Sequence, residues 1–164
     1  RRHTRYISVT AVQTCALPIF AVALPLSAQA MGTGPAPTSV ANPDYAQAEK
    51  LIKEWKYAEA IPLLEKVVKD DPKNADAYNQ LGYASRKLNK LPDARIHYAK
   101  ALELQPEHKG ALAYQGEMFL MLDDVKSAEI NLDKLDKLCT FGCTEYTELK
   151  KAVTEYKQRK GITS

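Results

Sequence analysis

Apolar residues recur at intervals of three and four positions from Asn42 onward, and they never alternate with polar residues for long. This spacing places apolar side chains on one face of an α-helix, whereas a half-buried strand would show a period of two. The pattern therefore predicts an all-α domain over residues 42–160. Residues 31–41, which contain several Gly, Pro, Ser and Thr, are predicted to be a flexible linker.

The helical pattern repeats with a period of about 34 residues. The middle segment carries the repeated positions as Tyr78, Leu81, Gly82, Ala94, Tyr98, Ala101 and Pro106. One period earlier, the same pattern holds Ala48, Leu51, Ala60, Leu64, Val67 and Pro72. One period later, it holds Leu112, Gly116, Phe119, Ala128, Leu132 and Leu135. Three helical hairpins are therefore predicted, at about residues 42–74, 75–108 and 109–138.

Small residues recur at matching places in the three hairpins. On the first helices they are Ala48, Gly82 and Gly116, and on the second helices they are Ala60, Ala94 and Ala128. Small side chains let two helix backbones approach closely, so that larger neighbours fill the space around the contact. We expect a large residue at Gly82 or Ala94 to force the two helices of the hairpin apart.

The spacing of these residues resembles the signature of the tetratricopeptide repeat family, which is W-x2-L-G-x2-Y, then A-x3-F, then Pro. Ser85 is the clear departure, because it stands where the signature has an aromatic residue. The resemblance implies a right-handed α-solenoid of three helix-turn-helix hairpins. Together with the signal-like residues 20–30, it predicts an exported bacterial member of the family.

A different pattern follows the third hairpin. Thr144 is expected to cap a helix over about residues 144–160, whose apolar face carries Tyr146, Leu149, Val153 and Tyr156. The terminal units of stacked repeats differ from the others because their outer surface must be polar. We therefore predict a C-terminal capping helix that covers the flank of the third hairpin.

In the tetratricopeptide family the first helices line a concave groove that holds peptides. Carried over by register, the groove positions are Tyr45, Glu49, Lys53, Asn79, Tyr83, Arg86, Lys87, Ala113 and Glu117. Tyrosine offers flat amphipathic contact area, Asn79 is suited to hold a peptide backbone, and Arg86 with Lys87 is suited to meet a carboxylate. The resemblance does not extend to chaperone-binding members, because Tyr45, Glu49 and Tyr83 stand where Lys and Asn would clamp a terminal carboxylate.

Two cysteines, Cys139 and Cys143, are the chemically suggestive pair of the domain. We expect a disulfide across a tight turn that Gly142 permits, because an even cysteine count in an oxidising compartment favours pairing. The alternative is a thiol-redox or metal-binding site. Against it, C-x3-C is not the spacing of thioredoxin-like enzymes, and we expect no helix N-terminus or neighbouring His to activate a thiol.

The N-terminal residues are expected to lie outside the fold. Residues 1–19 resemble the conceptual translation of a sequencing adapter, although a basic region followed by an apolar one is also how a secretory signal begins. Residues 20–30 combine an apolar stretch with small residues before Ala30, so we interpret them as the remnant of a signal peptide cleaved after Ala30. This interpretation predicts a periplasmic or secreted protein without a stable membrane span.

Charge excludes one class of partner. Arg1, Arg2 and Arg5 account for the whole formal charge of +3, so residues 31–164 are formally neutral. A nucleic-acid surface needs an excess of clustered Lys and Arg, and we expect no nucleic-acid partner.

Motifs for catalysis are not found in the sequence. It contains no Gly-rich phosphate loop, no G-x-S-x-G and no H-E-x-x-H, and we therefore expect neither an enzyme nor a cofactor or metal. The sequence predicts a scaffold that binds a peptide or partner protein in its groove. Self-association through the terminal helices is a further possibility, because the ends of a solenoid are natural interfaces.

Overall fold

The structure, a computed structural model, describes residues 42–162. Seven α-helices follow one another over this range, with no strand among the described residues. Their bounds are α1 Pro43–Lys53, α2 Tyr57–Asp70, α3 Ala75–Lys87, α4 Leu91–Leu104, α5 Lys109–Met121, α6 Val125–Leu138 and α7 Thr144–Lys160. The predicted all-α class is confirmed. None of the described helices is long and apolar enough to cross a membrane.

Successive helices pair as the hairpins α1/α2, α3/α4 and α5/α6. The hairpins stack because α2 packs against α3 and α4 packs against α5, while α3 also contacts both α1 and α5. α7 packs against α5 and α6 and so covers the flank of the third hairpin. The predicted solenoid of three hairpins with a C-terminal capping helix is confirmed. The adapter-like residues, the signal remnant and the linker lie outside the described residues.

Polar side chains begin several of the helices. Asn42 caps α1 by accepting a hydrogen bond from the backbone N–H of Asp44 at 2.9 Å, and Asn74 caps α3 by accepting from Ala77 at 2.9 Å. Each cap satisfies a backbone donor that the first turn of a helix leaves unpaired. The cap of α7 differs from the expectation: Thr144 is its first residue, and the Sγ atom of Cys143 accepts from the backbone N–H of Tyr146 at 3.4 Å.

The turn inside each hairpin has the same backbone conformation. Its central residue is Trp55 in the first hairpin, Asn89 in the second and Asp123 in the third, with φ values of 66°, 60° and 59°. These three residues are spaced by one repeat period. Left-handed backbone of this kind ends many helices because it lets the following N–H groups reach the last carbonyl groups of the helix.

The core runs along the stack as a series of joined clusters. Leu64, Tyr98 and Leu149 are fully buried, each in a different cluster. Tyr78 packs against the first and second clusters, and Phe119 packs against the second and third. Each hairpin therefore buries its apolar face against its neighbours in sequence, as stacked repeats do.

The repeated positions divide between the core and the turns. Those that are buried are Ala48, Leu51, Ala60, Leu64, Val67, Leu81, Gly82, Ala94, Tyr98, Ala101, Leu112, Gly116, Ala128 and Leu135. Tyr78 is partly buried, while Pro72 and Pro106 are exposed in the connections between hairpins. The small residues thus lie between helices, where the sequence pattern places them.

Glycine allows the closest contact between two helices. A Cβ atom at Gly82 would lie 2.6 Å from two carbons of the Tyr98 ring, so the ring of α4 rests directly on the backbone of α3. Gly116 differs from the expectation that it meets the second helix of its own hairpin. A Cβ atom there would lie 2.6 Å from Leu149, so this glycine admits the capping helix instead.

Gly82→Ala should lower the free energy of unfolding by about 2 kcal/mol, because the fully buried Tyr98 ring has no room to retreat. Urea unfolding followed by circular dichroism measures the change. In the background of Tyr98→Leu, the added methyl group meets a smaller side chain, and the cost of Gly82→Ala should fall by about half. Strictly additive effects of the two substitutions would contradict the proposed contact.

Candidate functional site

A groove crosses the first helices of the hairpins and ends on α7. It consists of three neighbouring hollows that share lining residues. Tyr83 and Tyr114 line both the first and the middle hollow, while Arg86 and Glu117 line both the middle and the last. The first hollow begins at the turn between α1 and α2, and the other two have a wall contributed by α7.

Four aromatic rings form a continuous row along the first part of the groove. We call Trp55, Tyr57, Tyr83 and Tyr114 the aromatic strip. Successive ring centroids are 6.5, 5.9 and 4.8 Å apart, and the first two pairs meet edge to face. The three tyrosines are partly buried, whereas Trp55 is 75% exposed. The strip thus presents flat, partly apolar surface contributed by three hairpins.

Arg86 lies beneath the strip and joins three helices. Its Nη1 atom is 2.7 Å from Oε2 of Glu117 on α5, and its Nε–H donates to the hydroxyl oxygen of Tyr98 on α4 at 3.4 Å. The guanidinium carbon lies 5.5 Å from the ring centroid of Tyr83 and 5.6 Å from that of Tyr114. The Arg86 side chain is 8% exposed and that of Glu117 27%, so the guanidinium end of the ion pair is the part shielded from water.

The protonation states in this cluster follow from burial and charge. Burial raises the pKa of the Tyr98 phenol, so the hydroxyl group stays neutral. For Arg86, burial opposes the charged form, but Tyr98 and Glu117 outweigh it and raise the pKa of the guanidinium. Over the physiological pH range Tyr98 therefore stays neutral and Arg86 stays charged.

Two lysines at the groove are free of ion pairs with the described residues. Lys53 lines the first hollow, and Lys87 lines the middle one with its Nζ atom 5.4 Å from the Tyr83 centroid. On the opposite wall α7 presents Glu148, Lys151 and Glu155. The groove therefore combines free positive charge near the aromatic strip with mixed charge near α7.

Five of the residues expected at the groove do line it, namely Lys53, Tyr83, Arg86, Lys87 and Glu117. The other four, Tyr45, Glu49, Asn79 and Ala113, do not line any of the three hollows. Tyr45 packs against the first core cluster instead. Its pKa is raised to about 12, by burial first and then by the nearby charges of Glu49 and Asp76.

The expected roles of two residues need correction. Arg86 was expected to meet a carboxylate of a ligand, but its guanidinium is buried and already paired with Glu117. Asn79 was expected to hold a peptide backbone, but it is 7% exposed and packs close to Gly110 of α5. Its Oδ1 atom has no hydrogen-bond partner among the described residues. Asn79 lies below the groove surface, whereas Arg86 forms part of the groove floor with its charge already paired.

Three members of the aromatic strip, and the wall formed by α7, are not among the groove residues predicted from the sequence. Tyr114 follows Tyr83 by less than one repeat period, so comparison in register does not pair them. Trp55 lies in a turn, where helical periodicity carries no information. A search for aromatic residues along the first helices and their following turns could have found both.

The connection between α6 and α7 contains the two cysteines. Cys139 ends α6, Cys143 caps α7, and their Sγ atoms are 2.09 Å apart in a disulfide arrangement. Between them Gly142 has a φ of 84° and Phe141 is fully exposed. Contrary to the expectation, one cysteine does lie at a helix N-terminus. No group of three or more potential metal ligands occurs among residues 42–162.

Comparison with known proteins identifies the repeat. A tetratricopeptide repeat family model matches residues 45–108 and 86–138, which together are more than half of the chain. The chain therefore belongs to the tetratricopeptide repeat family, as the signature residues predict. No curated protein matches the chain.

Solved structures, among them tetratricopeptide repeat domains, share this fold at low sequence identity. The first such domain of Spaghetti (RPAP3), bound to the HSP90 peptide SRMEEVD, is 22% identical with a TM-score of 0.61, over 68% of this chain and 89% of that chain. The TPR2B domain of yeast Sti1 in complex with pHsp70 is 19% identical with a TM-score of 0.65, over 71% and 94%. PcrH with the chaperone binding region of PopD is 18% identical with a TM-score of 0.62, over 71% and 90%.

Arg86→Ala should lower the free energy of unfolding by about 2 kcal/mol, because it leaves Glu117 and the Tyr98 hydroxyl group without their buried partner. Lys87→Ala is the matched control, since it removes an adjacent but exposed cation and should cost less than about 0.5 kcal/mol. Chemical unfolding of both variants measures the difference. Equal stability of the two variants would show that the Arg86 cluster does not fix the groove floor.

Proposed function

We propose that this tetratricopeptide repeat protein is a non-enzymatic binding module that holds a peptide or a segment of a partner protein in its groove. The observation that carries the proposal is the aromatic strip with unpaired lysines beside it, all on ordered helices or their turns. Aromatic side chains contribute much of the binding energy at protein interfaces, because they bury large areas with few rotatable bonds.

The rigidity of the groove supports the same proposal. The Arg86 cluster holds Tyr83 and Tyr114 in place before any ligand arrives, which reduces the entropy lost on binding. The similar solved structures include domains in complex with an HSP90 peptide, with pHsp70 and with a region of PopD. Partners of this kind are consistent with a groove that is open along its length.

We also propose that the protein is exported to the periplasm or secreted. The sequence supports this proposal, because the apolar stretch and small residues of 20–30 are typical of a cleaved signal peptide. A disulfide between Cys139 and Cys143 is consistent with an oxidising compartment. In this setting the partner would be another protein of the cell envelope.

The alternative function, thiol-redox chemistry or metal binding, has one observation in its favour. Cys143 caps α7, and a helix N-terminus lowers the pKa of a free thiol. Under the favoured proposal the cysteines are a structural link that fixes how α7 docks.

Tyr83→Ala with Lys87→Ala should abolish capture of a partner by the chain from Met31. Both side chains line the groove without taking part in the Arg86 ion pair, so the fold is retained. Crosslinking from an envelope fraction, followed by mass spectrometry, identifies the proteins captured. The matched control is Ile96→Ala, which removes a 66% exposed apolar side chain from α4, outside the groove.

Two outcomes are informative. Loss of a captured protein with the double variant and its retention with Ile96→Ala would support the groove as the binding surface. Equal capture by all three proteins would place the interaction on another face and refute the proposal.

The mature chain should carry an intramolecular disulfide. Under non-reducing conditions, mass spectrometry should give an intact mass that is lower than that of the reduced chain by two hydrogen atoms. Because the loop closed by the disulfide is short, replacing both cysteines by Ser should lower the free energy of unfolding by about 2 kcal/mol at most. Hydrogen exchange of the double Ser variant should show loss of amide protection in α7 and unchanged protection in the three hairpins. This result would support a structural role for the disulfide. A bound metal or free thiols in the purified protein would instead favour the alternative function.

A further inference from the structure

The three hairpin turns share a left-handed residue, but only two of them use a residue suited to it. Asn89 and Asp123 are polar residues that tolerate this conformation, whereas the first hairpin has Trp55 at a φ of 66°. A bulky side chain in left-handed backbone is a genuine outlier. Trp55 therefore strains its turn where the other two repeats avoid strain.

The core gains little from this tryptophan. The side chain is 75% exposed and contacts the edge of Tyr57 at a centroid distance of 6.5 Å. A large aromatic residue in water on a strained backbone serves neither packing nor solubility. Strain of this kind persists at sites where a side chain must be held in position for a ligand.

We infer that Trp55 is a ligand-contacting residue, and that the aromatic strip with Lys53 and Lys87 selects an extended, acidic segment that contains proline. The inference rests on the proposed function and names the chemistry of the partner. It also extends the working surface beyond the helices to the turn between α1 and α2.

Proline is the residue that this surface fits best. The aromatic strip presents the faces and edges of its rings one after another along the groove. Grooves lined by aromatic residues bind proline-rich segments in the polyproline II conformation. Such segments are extended before they bind and lose little entropy on binding. Their rings pack on aromatic surface without needing donors from the protein.

The charge at the Trp55 end of the strip favours acidic residues, whereas the middle hollow also carries Glu117, Glu148 and Glu155. Lys53 is the one charged residue that lines the first hollow, and the Nζ atom of Lys87 lies over the Tyr83 ring. Neither lysine is paired within the described part of the chain, so both are available to a ligand carboxylate. The partner should therefore place Asp or Glu beside its prolines.

Intrinsic fluorescence tests the inference directly, because Trp55 is the single tryptophan of the chain. Four probes are titrated into the chain from Met31: a peptide of alternating Pro and Glu, one of alternating Pro and Lys, one of alternating Ser and Glu, and a neutral oligosaccharide. We expect a blue shift of the emission with the Pro and Glu peptide, and binding at least about tenfold weaker with the other three. Equal or tighter binding of the basic peptide, the Ser peptide or the oligosaccharide overturns the inference, as does no binding of the Pro and Glu peptide.

The variant Trp55→Asn gives the first turn the residue that the second turn already has. Calorimetric titration of the Pro and Glu peptide should show about tenfold weaker binding, because the ring at the end of the strip is lost. The melting temperature should fall by no more than about 2 °C, because relief of backbone strain offsets the lost contact with Tyr57. A residue with a purely structural role would instead lower stability and leave the affinity unchanged.

Phe141→Ala is the matched control, since it removes another exposed aromatic side chain from a turn outside the groove. Its affinity for the peptide should equal that of the wild type. The Trp55→Asn variant also separates failure of this inference from failure of the proposed function. If a partner depends on Tyr83 and Lys87 but is retained by Trp55→Asn, the groove binds the partner and the inference is refuted.

Discussion

The contact between Gly82 and the ring of Tyr98 is the constraint on which the groove depends. Because Gly82 has no side chain, the ring can lie against the backbone of α3, and its hydroxyl group then reaches Arg86. Arg86 in turn pairs with Glu117 on the next hairpin and stacks against Tyr83 and Tyr114. A packing requirement between two helices thus determines the position of the aromatic surface several ångströms away.

The capping helix repeats this arrangement at the end of the stack with a different partner. Gly116 admits Leu149 of α7, so the helix that closes the core also approaches the groove closely enough to form its wall. The Cys139–Cys143 connection fixes where α7 begins. Stability of the end of the solenoid and the shape of its binding surface therefore have a common origin.

The fold was predictable because it depends on residues that recur at fixed intervals. The positions of Gly82, Ala94 and Tyr98 determine the hairpin, and their recurrence one period away determines the stack. The site was predictable only in part, because binding surfaces are set by which side chains remain outside the core. Arg86 is an example. Its register predicts that it lines the groove, but not that its guanidinium is already bound to Glu117 and to the Tyr98 hydroxyl group. Trp55 could not be placed from helical spacing, because it lies in a turn.

The arrangement of the core along the stack has a consequence for folding and cooperativity. Since each cluster is built from neighbouring helices, most contacts are local in sequence, and proteins of such low contact order fold fast. The same property makes each hairpin a unit that can open with a free energy smaller than that of the whole domain. A ligand that lies across the groove would contact several hairpins at once. Opening one hairpin would then also break contacts with the ligand, so binding would raise the free energy of local opening. In this architecture, binding a ligand in the groove and suppressing the local unfolding of single hairpins would therefore occur together.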